Sequence, residues 1–432
     1  MTDARLTLRF VPEDINCSDF AQLEPLFDEL QGRQLDSSHD LQRWLEDYSE
    51  LSTVISEHGT RLQIAHACDT ESEKKEKAYL HFVEHVRPKI KPRTFELDRK
   101  FVASPHRAAL TGPRYELLGK HWQTDVELYR DENVPLQTEL TRLATDYGKL
   151  CGKMIVEFRG QTYTLQQMGR FLDEPDRATR EQAWRMVQNR RLEDRERIDG
   201  IFDRMLDKRQ AVAAHADCED YRAYVWRDWY RFDYTPADCL EFADAIAECC
   251  VPVVEELDRE RRATLGVDRL RPWDLGVDAK GRPPLRPFDP KNVEDFVART
   301  RTALDRVSPR LGEQFAELKM GENLDLDSRQ GKRPGGFQSS LELVQQPFIF
   351  MNAAGLQRDV ETLLHEAGHA FHYLASRAER VIFLRHAPLE FCEVASMSME
   401  LLASPHFDVF YDEEANANRA RRDLLEGDRR ST

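Results

Sequence analysis

His365 and His369 stand four residues apart, with Glu366 between them, in the stretch DVETLLHEAGHAFHYL that runs from Asp359 to Leu374. On a helix this spacing puts both imidazoles on one face, a turn apart, able to grip a single zinc ion. Glu366 is offset by one residue and reaches a water on that ion without being a ligand. Such a carboxylate takes the water's proton as it attacks a carbonyl, the work of a catalytic base. The helix is written in the same residues: Val360, Leu364, Ala367, Phe371 and Leu374 step by four, three, four and three and form an apolar stripe toward a core. Gly368 is unfavourable inside a helix, so its presence predicts another backbone passing close by.

A catalytic zinc needs a third protein ligand and one open position. A third histidine ten residues after His365 would complete one known arrangement, but Ala375 stands there. His372 lies too far along the helix face to close a tetrahedron. It is a candidate to support a ligand or to pack, and Asp359, at the start of the stretch, is a candidate support as well. The next helical segment, PLEFCEVASMSMELLA, offers Glu390, Glu393 and Glu400 on one side. Spacing alone does not choose among them, and His386 and His406 stay open; Glu393 is the central choice.

The elements that must carry these residues are mostly helical. FAQLEPLFDEL, DLQRWLEDYSELSTVISEHG and ESEKKEKAYLHFVEHV place apolar residues three and four apart. Met154 to Phe158 and Thr162 to Leu165, divided by Arg159-Gly160, predict a small hairpin. Helical sequence resumes through DRATREQAWRMVQNRR, where Asp176, Arg177 and Arg180 are helix-start chemistry and not a binding patch. Pro236 marks a helix start and Pro252 a kink. The proline- and glycine-rich segment 270–290 predicts an extended surface connection. Before the histidine helix, GKRPGGFQSSLELVQQPFIFMNAAG reads as a glycine loop feeding a small sheet. Its GK is not a phosphate loop, because Arg333 occupies the Ser/Thr position. The chain divides into a helical domain, 1–190, with a hairpin near 154–165, and a zinc-site domain, 191–432.

Composition narrows the partners. The 432 residues carry a formal net charge of −16, which argues against nucleic acid. No apolar run is long enough to span a bilayer, and MTDARLTLRF has no secretory pattern, so no membrane partner and a cytoplasmic location are expected. Eight scattered cysteines, without a C-x-x-C pair, read as reduced and mostly buried small hydrophobes.

Together these residues resemble the oligoendopeptidase F and thimet oligopeptidase family of zinc peptidases. TLLHEAGHAFH is similar to that family's H-E-x-G-H-x-x-H helix, and FCEVASMSMELL to its downstream ligand segment. GKRPGGFQSS, PFIFMNAAG, RFDYTPAD and TYTLQQMGRFLDEPDRATREQAW extend the resemblance over about residues 150–425. It implies a mainly α, multi-helix peptidase fold with a small sheet and hairpin near the site and a deep channel between two halves. It implies one zinc ion on His365, His369 and Glu393, Glu366 as the base, and Glu400 orienting a ligand histidine. Short unstructured peptides are the implied substrates, touched by Gly335 and Gly336 of the loop and by Phe348 and Phe350 of the strand. That strand pairs with an extended peptide, or else is core. Family members continue with further helices and a late segment of His and Tyr residues that hold the oxyanion. The present chain ends at SPHFDVFYDEEANANRARRDLLEGDRRST, with His406 and Tyr411 too early to replace them. The resemblance therefore implies a carboxyl-terminally truncated chain with apolar surface laid bare, and as the alternative function a catalytically impaired zinc- or peptide-binding remnant. Oligomeric state is left open.

Overall fold

The computed structural model describes residues 6–431. Six helices come first: α1 (Phe20–Gly32), α2 (Ser38–Cys68), α3 (Glu73–His81), α4 (Arg87–Ala103), α5 (Pro113–Leu128) and α6 (Asn133–Gly152). The 31-residue α2 starts where Ser37 accepts the amide of Asp40 at 3.2 Å, a side-chain N-cap. A π turn, Phe82–Val86, carries α3 straight into α4. Leu41, Trp44, Tyr48, Phe101 and Trp122 from these helices form one core, closed by Val381 from far along the chain.

The hairpin follows as expected: β1 (Ile155–Phe158) pairs antiparallel with β2 (Gln161–Thr164). Arg159 and Gly160 both take positive φ (52° and 77°), as a tight two-residue hairpin turn requires. Next come α7 (Arg177–Glu193), α8 (Arg195–His215), α9 (Tyr221–Asp228), α10 (Pro236–Cys249) and α11 (Val251–Leu265). Pro252 stands in the first turn of α11, where the single residue Cys250 separates it from α10. No residue of α10 or α11 is buried, although Leu240 and Phe242 are apolar. Position 190 lies within α7, and a small core of Leu128, Val212, Ala213, Ala216 and Tyr224 joins residues on both sides of it.

Segment 270–290 is less of a surface strap than its prolines suggested. Trp273, Val277, Leu285 and Phe288 are buried, and the buried carboxylate of Asp274 accepts from Arg177 at 2.9 and 2.8 Å. That pairing explains Arg177, while Asp176 caps α7. The cysteine expectation also needs correction: all eight are free, but only Cys17 is buried, and Cys239 and Cys249 are exposed.

The last third builds the frame of the site: α12 (Val293–Val307), α13 (Pro309–Met320), β3 (Leu324–Asp327), β4 (Phe337–Leu341), β5 (Gln346–Ala353), α14 (Gln357–Ser376), α15 (Leu389–Ala403) and α16 (Glu414–Ser431). The sheet order is β3-β5-β4, parallel on one side of β5 and antiparallel on the other. Val360, Leu363, Leu364, Ala367 and Ala370 of α14 are fully buried in the largest core, with Phe296, Phe315 and Ile349. From the first core, α2 reaches this sheet: Glu57 accepts the amides of Leu343 and Val344 at 2.6 and 2.9 Å, and Ala67 packs with Phe348 and Phe350. Among the described residues, no helix is long and apolar enough to cross a membrane.

Candidate active site

The strand-to-helix turn from β5 into α14 sets the histidines. Gly355 turns with φ 82°, and the carboxylate of Asp359 accepts the amides of Ala354 and Leu356 at 2.7 and 2.8 Å. Asp359 is thus engaged in capping its own helix, a job a carboxylate does best at a helix start. It lies nearly two turns before His365 and orients no ligand there, contrary to expectation.

Two turns on, the rings of His365 and His369 lie 4.8 Å apart at 86°. Nε2 of each points at Glu393 on α15, at 3.3 and 3.7 Å from its Oε2. One ligand atom from each of the three lies within 4.8 Å of the other two, the one such cluster among the described residues. His386 and His406 are not part of it. What brings α15 so close is Gly368: a Cβ there would sit 2.6 Å from the Ser396 Cα and 2.7 Å from the Ala395 carbonyl oxygen. The close approach expected from this glycine is present, and its partner is the helix that carries Glu393.

Each of the three has a partner behind it. His365 Nδ1 is 2.7 Å from Glu400 Oε1. An ionised carboxylate only accepts, so Nδ1 carries the proton and Nε2 keeps its lone pair. Glu400 accordingly raises the His365 pKa, whereas burial lowers that of His369, which bonds the main-chain carbonyl of Cys392. The hydroxyl of Ser396 donates to Glu393, at 2.9 Å to its carbonyl and 3.1 Å to Oε2. Ser396 was not singled out from sequence; a serine three residues after a glutamate on the same helix was the available signal. His372, half-buried one turn on, is not part of the cluster.

Glu366 is 6% exposed, and its Oε2 has no partner. Burial pushes its pKa up to about 7, against the pull of His365 and of the Gln338 amide. Gly336 lines this carboxylate closely: a Cβ there would meet Glu366 Oε1 at 3.3 Å and the Phe350 carbonyl at 3.4 Å. The loop is pinned from below. Buried Lys332 donates to the carbonyls of Asp325, Asp327 and Met351 at 3.0, 2.8 and 2.5 Å, and Asn352 holds the carbonyls of Arg333 and Gly335 at 2.9 and 2.8 Å. Gly335, with φ 96°, faces open space.

Phe348 and Phe350 are not placed to touch a substrate. Both are buried, 8% and 0% exposed, and β5 is paired along both edges, which leaves its main chain nothing to offer a peptide. The outer strands are β3 and β4, and it is β4 that borders Glu366. Pro347 has no amide, so its partner Ser340 sits in a non-hydrogen-bonded pair, and Gln338, two residues away, shares that orientation. The amides and carbonyls of Gln338 and Ser340 therefore point outward, on the side where Gln338 meets Glu366.

Two imidazoles and a carboxylate, with a fourth position open, are a donor set that suits a catalytic zinc. The partners behind the histidines and the unpartnered, buried Glu366 oxygen beside them fit that group. Residues 170–425 match the profile of peptidase family M3, and residues 10–129 that of the peptidase M3 N-terminal domain. Oligopeptidase A of Salmonella typhimurium and that of Escherichia coli are each 26% identical across 38% of this chain, and the match spans 32% of each of those proteins. A solved protein assigned as an oligoendopeptidase F superposes with a TM-score of 0.90 at 27% identity, over 98% of this chain and 74% of its own. PZ peptidase A, solved with an inhibitor, gives 0.91 at 25% identity over the same shares. With both halves of the chain matched in order and the histidine helix inside the larger match, the chain belongs to peptidase family M3.

Proposed function

We propose that this chain is a zinc-dependent oligopeptidase that hydrolyses short, unstructured peptides. The observation that carries the reading is the convergence of His365, His369 and Glu393 within 4.8 Å beside the unpartnered Oε2 of Glu366. When bound there, zinc supplies Lewis acidity toward the scissile carbonyl and toward water. Glu366 accepts the proton of the attacking water and passes it to the leaving amine. Its burial holds it near neutrality in proton affinity, where a base can both take and return a proton. Glu400 keeps the His365 proton on Nδ1. The outward edge of β4 pairs with the extended peptide main chain and leads it past Glu366 and Gly336. The match to oligopeptidases supports short peptides as the substrate class. Free thiols throughout suit a reducing, cytoplasmic setting.

The test is cleavage of a mixed set of quenched fluorescent peptides by the zinc-loaded chain and by Glu366→Gln. The wild type cleaves; the variant binds as much zinc and loses about a hundredfold or more in rate. Zinc-loaded, folded wild-type protein that cleaves nothing would overturn the assignment in favour of a binding protein without turnover.

A further inference from the structure

Of the three glutamates on α15, Glu390 serves neither histidine. Its Oε1 accepts from Arg231, at 2.8 Å from both Nε and Nη2, and from the hydroxyl of Tyr234. The guanidinium of Arg231 is itself caged. Its Cζ lies 4.8 Å from the ring centres of both Trp226 and Trp229 and 5.7 Å from that of Tyr234. Trp226 Nε1 donates to the Tyr234 carbonyl at 3.2 Å and closes the cage. The preceding residue faces the other way: Tyr230, in the left-handed region with φ 53°, donates to Asp125 of α5 at 2.9 Å and stacks on His121 at 3.9 Å. A side chain adopts that backbone region only where its surroundings hold it. Segment 226–234 is thus a rivet between the amino-terminal helices and the start of α15.

The start of α15 has one other tie to the site, the Cys392 carbonyl that accepts from His369, and it buries little. Of its fifteen residues only Ser396, Met399 and Ala403 are buried, none among the first seven, while Leu389, Phe391 and Val394 are exposed. Glu393 lies one turn after Glu390, so a shift of this turn moves both together. An ordinary exposed ion pair is too weak and too mobile to fix a helix end. A guanidinium confined among three rings has fewer orientations to lose when it meets its carboxylate.

We propose that Arg231, caged by Trp226, Trp229 and Tyr234, is a positioning residue for the metal centre: through Glu390 it fixes the first turns of α15 and with them the place of Glu393 opposite His365 and His369. The proposal rests on the reading of those three side chains as zinc ligands. The histidines sit on a buried helix and need no such help. The carboxylate ligand does, because metal sites tolerate only about half an ångström of looseness.

The test compares the full chain with Arg231→Ala, Arg231→Lys, Glu390→Gln and the Arg231→Ala/Glu390→Gln double variant. Zinc affinity is read by chelator competition, ligand geometry by the visible spectrum of the cobalt-loaded protein, and fold by thermal melting without metal. Arg231→Ala and Glu390→Gln each weaken zinc about tenfold, the range seen when a supporting residue of a metal site is lost. The double variant loses no more than either single one, and the cobalt spectrum changes in all of them. Arg231→Lys falls between, because it keeps the charge without the planar, two-nitrogen grip on Glu390. Metal-free melting stays close to wild type throughout. Unchanged zinc affinity, additive losses, or a melting temperature that falls in step with affinity would each overturn the clamp. Wild-type protein that binds no zinc would instead overturn the metal reading on which it rests.

Discussion

Glu393 has nearly half of its side chain in solvent, whereas Glu400, one residue type and two turns away, is 15% exposed and bonded to His365. The same residue type does two jobs on one helix because the facing partners differ. A carboxylate behind a ligand histidine fixes its tautomer and strengthens its donor nitrogen. Glu400→Ala should therefore weaken zinc binding about 10- to 100-fold, with the metal-free fold intact by circular dichroism. Glu400→Gln keeps an oxygen for the Nδ1 proton and should recover part of the loss. Chelator competition on the three proteins measures this directly, and equal affinities would show that the 2.7 Å contact contributes nothing to the site.

Gly368 carries the corresponding argument at the scale of elements. On an isolated helix, Gly→Ala is stabilising by about 1 kcal/mol. Here the added carbon would lie 2.6 Å from the main chain of α15, which cannot rotate aside as a side chain would. Overpacking of that kind costs about 1 to 3 kcal/mol, so the clash outweighs the propensity. Gly368→Ala should lower the urea midpoint and weaken zinc, because it lifts Ser396 and Glu393 off α14. A midpoint that rises would mean the two helices are free to separate. The same position shows what could be read in the sequence. The stripe Val360 to Leu374 announced α14, and all five of its residues are buried. The glycine announced a neighbour, and the hairpin turned at Arg159-Gly160. Each of these signals is local. Which strand sits in the middle of the sheet is not local, and the run PFIFM reads alike as a central strand or as an edge. The structure pairs it on both sides and leaves the edge beside Glu366 to FQSSL, which carries no strong strand signature. Asp359 was expected to support a ligand, but its carboxylate caps its own helix nearly two turns before His365. The clamp of Arg231 on Glu390 joins positions 159 apart, beyond any periodicity.

Across the whole molecule, one feature sets itself against the negative charge of the chain. Asp98 on α4, Asp125 on α5 and Asp228 on α9 are all raised in pKa, burial being the main cause for each. Asp125 is pushed up to about 6, with the charge of Asp228 adding to burial and the Tyr230 hydroxyl opposing it. In the unfolded chain an aspartate titrates near its ordinary value of about 3.9. Below about pH 4 both states hold the proton, and Asp125 adds no pH dependence. Between about pH 4 and pH 6 the folded chain holds a proton that the unfolded chain has released, so stability falls as pH rises; above about pH 6 the full penalty remains. Lys91 faces the same group and is lowered to about 8 by burial, so its own contribution changes only in alkaline solution. Asp125→Asn keeps an acceptor for Tyr230 and removes the charge. The variant should therefore match wild type in stability near pH 4 and exceed it at pH 7, by up to about 3 kcal/mol less what partial solvent access screens. Urea unfolding of both proteins at the two pH values decides it. A variant less stable than wild type at pH 7 would mean that the ionised carboxylate holds Tyr230 more firmly than burial penalises it. The rivet between the amino-terminal helices and α15 would then rest on a charge.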